Sequence, residues 1–183
     1  MLGRDPLSGS CPVSCATDFA AALPASRLRV AEGAELNLAA PIARYRITAD
    51  SLRRRARLEE VTYLWGWRFF VVGNDRMLPS AVDVRPGRDA GSWRAGLVTG
   101  KHLARQLQLI DQLSRSNAVG TIRVLDAPGL DWSGLWLVGE DALLISLKSG
   151  KPIAASGLLS RLRRTATRQQ SATNKQETNL NDL

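Results

Sequence analysis

Apolar and polar residues recur along this chain with two different periods, and the change from one to the other marks out its elements. Residues 101–115, KHLARQLQLIDQLSR, place Leu103, Leu107, Ile110 and Leu113 at three- and four-residue spacing. That spacing predicts an amphipathic helix, with Thr99 placed to cap its start. Directly afterwards the period drops to two. In TIRVLD, Ile122 and Val124 alternate with Thr121 and Arg123, as in a strand with one buried face. LWLV (135–138), the turn-like Gly139-Glu140-Asp141 and ALLISLK (142–148) predict a hairpin.

Upstream, Thr17 or Asp18 opens a short helix through FAAAL that Pro24 stops. Leu28, Val30, Leu36 and Leu38 alternate with polar residues across Glu32-Gly33, a hairpin pattern. Tyr45 and Ile47 alternate with Arg44 and Arg46, giving a half-buried strand with a basic outer face. LRRRARL (52–58) reads as a strand with Arg53, Arg55 and Arg57 outward. A helix there, capped by Asp50, would carry Glu59 and Glu60 at the end where the dipole disfavours acid. VTYLWGWRFFVVGND holds the most aromatic and branched side chains, with Gly66 marking a tight turn or a bulge. Gly73-Asn74-Asp75 predicts a turn, and Met77 and Leu78 a short edge ending at Pro79. Residues 85–97 predict a glycine-punctuated loop, and GLLSRLRRTATR a short basic helix with Leu158, Leu159 and Leu162 on one side.

The expected fold class is α+β: a mostly antiparallel sheet packed on one amphipathic helix. Its expected organisation is a disordered leader (1–15), one domain (16–156), a short basic helix (157–168) and a disordered tail (169–183). No internal repeat is visible. The length of 183 residues gives room for one domain, and 44% apolar content excludes wholesale disorder.

Charge adds a partner class. The surplus of Lys and Arg gives a formal net charge of +8 and a pI near 10.5, a field that concentrates acidic partners. An arginine-favouring composition produces the same surplus without a function. No apolar run approaches the ~20 residues of a membrane span, and MLGRDPLSGSCPVSC lacks the core of a signal peptide. These features predict a cytoplasmic protein, membrane-associated only through a complex.

Candidate chemistry is sparse. Cys11 and Cys15 with the single imidazole of His102 fall short of the four ligands of a structural zinc site, so no metal is expected, and no cofactor. GLVTGKH (96–102), DAPG (126–129) and NKQE (174–177) superficially resemble nucleotide-hydrolase fragments. The first is one residue short of a phosphate loop and has His102 where a hydroxyl belongs. His102 reads as a solvent-facing helix residue. Asp83, Asp89, Asp111, Asp126 and Asp131 are scattered singly. An enzyme is therefore not expected, and a cleft in which His102 meets acidic side chains would overturn that reading.

Residues 58–157 resemble the β domain of the FtsQ/DivIB division proteins in element order and apolar pattern. LEEVTYLW leads to WRFFVVGNDRMLP, followed by LARQLQLIDQL, TIRVLD and LWLVGEDALLISLKSG. The chain departs from that family in showing no membrane helix and no clear preceding domain. The resemblance implies a non-catalytic scaffold that recruits partners by edge-strand pairing.

The functional expectation is a protein–protein contact domain inside a larger bacterial assembly, docking through exposed strand edges. Its contact positions are Leu143, Ile145 and Leu147 on the last hairpin strand and Arg161, Arg163 and Arg164 on the basic helix. The alternative is a nucleic-acid-binding protein using Arg44, Arg46, Arg53, Arg55 and Arg57, whose retention falls steeply with salt. An acidic membrane surface is a further possible partner for the basic helix.

Overall fold

The computed structural model describes residues 13–23, 37–54, 57–73, 76–89, 91–116, 120–139 and 143–181. In chain order the elements are α1 (Val13–Ala21), β1 (Asn37–Leu38), β2 (Ile42–Ile47), α2 (Ala49–Arg54), α3 (Leu58–Val61) and β3 (Thr62–Gly73). Then follow β4 (Arg76–Pro86), β5 (Trp93–Thr99), α4 (Lys101–Arg115), β6 (Thr121–Ala127) and β7 (Trp132–Val138). The chain closes with β8 (Leu143–Ser146), β9 (Pro152–Ile153) and α5 (Ala155–Asn181).

The fold class is α+β. One nine-stranded sheet runs in the order β5-β4-β3-β2-β6-β7-β8-β9, with β1 added on β3. Every pairing is antiparallel except β2 with β6. Strand alternation sends adjacent side chains to opposite faces, and both faces are covered. On the front face Leu103, Leu109, Ile110 and Leu113 of α4 pack on Phe70, Ala81, Val124, Leu135, Ile145 and Leu147. On the back face Leu158, Leu159 and Leu162 of α5, with Leu52 and Leu58, pack on Ile47, Leu125, Trp136 and Leu144. Beside them Ala16 and Ala20 of α1 lie on Trp67, Phe69, Val82 and Val84. The expected single covering helix is thus one of several, and Val124 and Leu125 in succession are both buried because β6 has no wet face.

The topology repeats although the sequence pattern does not. Strands β2 to β5 followed by α4 are matched by β6 to β9 followed by α5. The two sets fan out in opposite directions from the parallel β2–β6 pair, and their helices lie on opposite faces. In topology this is a pseudo-twofold arrangement about the strand direction.

Several expectations are corrected. Residues 49–54 form a helix because Thr48 and Ser51 cap each other. The Ser51 N–H donates to Thr48 Oγ1 at 3.1 Å and the Thr48 N–H to Ser51 Oγ at 3.2 Å. Glu59 and Glu60, which argued for a strand, occupy the first turn of α3, where the dipole favours them. Thr99 does not cap α4. Gly100 does so without a side chain, at φ +111, a conformation glycine adopts freely. Pro79 does not end an edge. It lies inside β4 where the register slips between Phe70 and Val72, opposite no residue of β3 or β5, so its missing N–H is tolerated.

Residues 93–97, expected as loop, form most of β5, leaving 87–92 as the connection. Helix α1 begins inside the expected leader, and α5 continues well past 168 into the expected disordered tail. Leu38 pairs through β1 with Val71 of β3, while the rest of the expected 28–38 hairpin, from 28 to 36, lies outside the described residues. The 135–148 hairpin is present as β7 and β8. Strand β8 is not the free edge, however, because β9 pairs with it. Ile145 and Leu147 are 8% and 6% exposed and belong to the front core, with the partly buried Leu143 packed against it, so the side chains of Ile145 and Leu147 are engaged in packing. Among the described residues no helix is long and apolar enough to cross a membrane.

Candidate anion-binding cleft

Beyond the first turn of α4 the front face turns from apolar to charged. The alternation that sends Ile42 into the front core also brings Arg44 and Arg46 of β2 to that face. Asp126 follows Val124 on β6 in the same way, Ser133 precedes Leu135 on β7, and Arg68 and Asp83 stand two positions from Phe70 and Ala81. Five of these six polar side chains form one network.

Arg44 is 7% exposed. One of its terminal nitrogens donates to Asp83 Oδ2 and the other to Asp126 Oδ2, the latter at 2.5 Å. Arg68 grips the same Asp83 through two parallel bonds, Nε to Oδ1 at 2.6 Å and Nη2 to Oδ2 at 2.7 Å. Its third nitrogen, Nη1, donates to Gln106 Oε1 of α4 at 2.6 Å. Gln106 is wholly buried, the polar member of the helix's core stripe, while Leu107 is partly buried against the same core. Ser133 Oγ donates to Asp126 Oδ1 at 2.6 Å. Two guanidiniums and two carboxylates thus balance, as buried charges must to be tolerated.

Arg46 is left outside that balance. Among the described residues it makes no ion pair, and its buried Nε has no hydrogen-bond partner. Its guanidinium lies 3.6 Å from the centroid of Trp65, whose ring also has Arg44 at 4.6 Å and Arg85 at 5.3 Å. Burial, and then the neighbouring Arg44 charge, pull the Arg46 guanidinium below the usual arginine range. Trp65 stands where the pairing slips: Arg44 faces Gly66 and Tyr45 faces Leu64, so Trp65 is the extra residue of a bulge. Gly66 beside it allows β4 to come close, because a Cβ there would clash with the Val84 carbonyl oxygen.

These groups border a cleft of about 470 Å³, inside the ~300–1,000 Å³ range of small-ligand sites. Its walls are Arg44, Arg46 and Asp126, with Ser133 and Trp132, the exposed His102 from α4, and Pro128, Asp131, Leu147 and Lys148. His102, expected only at the solvent surface, is exposed and lines this cleft with Asp126 and Asp131, but among the described residues it makes no ion pair with either. The geometry departs from a catalytic triad: the Ser133 hydroxyl is bonded to Asp126 itself, whose other oxygen holds Arg44. Three cations, Arg44, Arg46 and Lys148, face two carboxylates, Asp126 and Asp131, before His102 is counted.

The structure redistributes the other expected site residues. Arg44 is buried and paired, so it does not present a basic outer face. Arg53 lies on α2, where it donates to Gln170 Oε1 of α5 at 2.9 Å. Arg57 caps α3, and Arg55 lies outside the described residues. Arg163 is half-buried, its Nε donating to the Leu52 carbonyl at 3.2 Å, while Arg161 and Arg164 are exposed. Arg53 is thus brought to α5, the helix that carries Arg161, Arg163 and Arg164, away from Arg44 and Arg46. Of the three nucleotide-like fragments, the first two contribute His102, Asp126 and Pro128 to the cleft, and the third lies on α5. Ser133 and Lys148 were not expected, since nothing near them in sequence announces a site. A signal for the network did exist: Arg44, Arg68, Asp83 and Asp126 each interrupt an apolar alternation.

No family model, no curated protein and no solved structure matches this chain.

Proposed function

We propose that the protein is a non-catalytic binding domain for a small organic anion carrying a phosphate or carboxylate group, held in the cleft between β2, β6, β7 and the start of α4. The observation that carries this reading is Arg46: a half-buried cation that makes no ion pair among the described residues, stacked on an aromatic ring at the wall of a ligand-sized cleft. A planar guanidinium is suited to bidentate capture of such groups. Lys148 and His102 add donors, and Leu147 and Trp132 supply apolar wall for the body of the ligand.

The test is a thermal-shift and calorimetric series with inorganic phosphate, phenyl phosphate, AMP and succinate on the wild type and Arg46→Gln. A ligand at a hundred times its Kd stabilises the fold by about 2.7 kcal/mol, or roughly 5–10 °C for a chain of this size. The Arg46→Gln variant is expected to lose that shift while keeping its fold. Absence of any shift, or an equal shift in both proteins, overturns the proposal.

A second reading, assembly by strand addition, is favoured by β5. This seven-residue strand ends the sheet, and its outer edge carries no partner among the described residues. The pattern resemblance to division-protein β domains points the same way. Leu97→Lys charges that edge, and is expected to abolish partner capture that survives high salt; unchanged capture removes the reading.

A further inference from the structure

We infer that α5 carries a second, separate surface that grips the phosphate backbone of a nucleic-acid duplex without reading its sequence. Arg161, Arg164 and Arg168 are exposed and stand at i, i+3 and i+7 on one helix face. Residues 155–172 contain no acidic residue at all. Thr167, Arg168 and Ser171 line one groove with Arg163 and Arg164. Seven residues of helix span roughly 10 Å. A duplex strand offers a phosphate about every 3.4 Å of axis, so three guanidiniums over that length match the charge density of one strand.

The choice among polyanions follows from what the face lacks. Among the described side chains of α5 the exposed ones are Ser, Thr, Arg and Gln with Gly157 and Ala172, and no large apolar side chain is among them. A protein interface is anchored by buried aromatic or aliphatic side chains, whereas backbone contacts to nucleic acid come from Arg and from Ser and Thr hydroxyls. A membrane-surface helix needs a free apolar face, and the apolar face of α5 is spent on the sheet through Leu158, Leu159 and Leu162.

The experiment is fluorescence anisotropy of a labelled 20-base-pair duplex on the full chain across a salt series. The proteins compared are the wild type, Arg161→Ala/Arg164→Ala/Arg168→Ala, and a charge-matched control, Arg88→Ala/Arg94→Ala/Lys101→Ala, at exposed positions elsewhere. Each lost phosphate contact lowers the salt slope by about 0.9, so the α5 variant is expected to lose about 2.7 from its slope and to bind at least tenfold more weakly at low salt. The control is expected to stay within about twofold of the wild type, long-range charge being screened within roughly a Debye length. Arg46→Gln is expected to bind the duplex normally, which separates this surface from the cleft. An α5 variant that binds like the wild type, or a control that weakens equally, overturns the inference. A polyglutamate peptide held at higher salt than the duplex, or phosphatidylserine vesicles preferred to it, overturns it in favour of an acidic protein or a lipid surface.

Discussion

The guanidinium of Arg46 lies 3.6 Å from the ring centroid of Trp65, the closest of the three arginine approaches to that ring. A cation over an aromatic face gains roughly 0.5–2 kcal/mol, most when desolvated, and the ring also fixes the direction of a side chain that has no carboxylate to hold it. Trp65→Leu is therefore expected to keep the fold, destabilise it by about 1 kcal/mol, and weaken anion binding at the cleft through Arg46. Calorimetry on the variant checks this: anion affinity equal to the wild type would mean that Trp65 does not position the cation.

Asp83 is the shared acceptor of Arg44 and Arg68. Its removal leaves two buried guanidiniums short of a counter-charge, so Asp83→Ala is expected to cost about 3–5 kcal/mol. Adding Arg68→Met is expected to recover part of that loss, because it withdraws one of the two stranded charges. A double-mutant cycle on denaturant midpoints reads the coupling, and simple additivity would count against a shared network.

Ile145→Asp probes the corrected role of the last hairpin strand. Placing a carboxylate among Leu103, Leu109, Ile110 and Leu135 buries an unpaired charge, and the variant is expected to lose its cooperative melt by near-ultraviolet circular dichroism. A folded variant would return Ile145 to the surface.

Cys15 is held protonated by burial first and by the nearby Asp18 charge second, both raising its pKa. With the folded pKa above the unfolded one, its contribution to stability is present below the ordinary thiol range and fades as pH rises through the folded value. In a Cys11→Ser background, alkylation of Cys15 near pH 8 is expected to be slower in the native protein than after unfolding. Equal rates would show that the thiolate is not suppressed.

Legibility in the sequence followed the range of the interactions. The α4 stripe was readable because Leu103, Ile110 and Leu113 report a local period. Gln106 was not, since an amide enters the core only where Arg68, distant in sequence, reaches it. The 52–58 segment was misread because the capping pair Thr48 and Ser51 lies just before it and the acidic pair belongs to the next helix. The cleft draws on β2, α4, β6, β7 and the turn after β8, so no local spacing encodes it. Only the isolated charges at front-face strand positions hinted at it.

The twofold relation between the chain's two halves has a consequence for how it comes apart. Helix α4 of the first half shares a core with Phe70 and Ala81 of its own half and with Val124, Leu135 and Ile145 of the second, while Ile47, Leu52 and Leu58 of the first share a core with α5. The halves are laced together rather than stacked side by side. Each loses part of its hydrophobic lining once the other leaves, and heat is expected to dismantle both in a single calorimetric peak whose van't Hoff and calorimetric enthalpies agree.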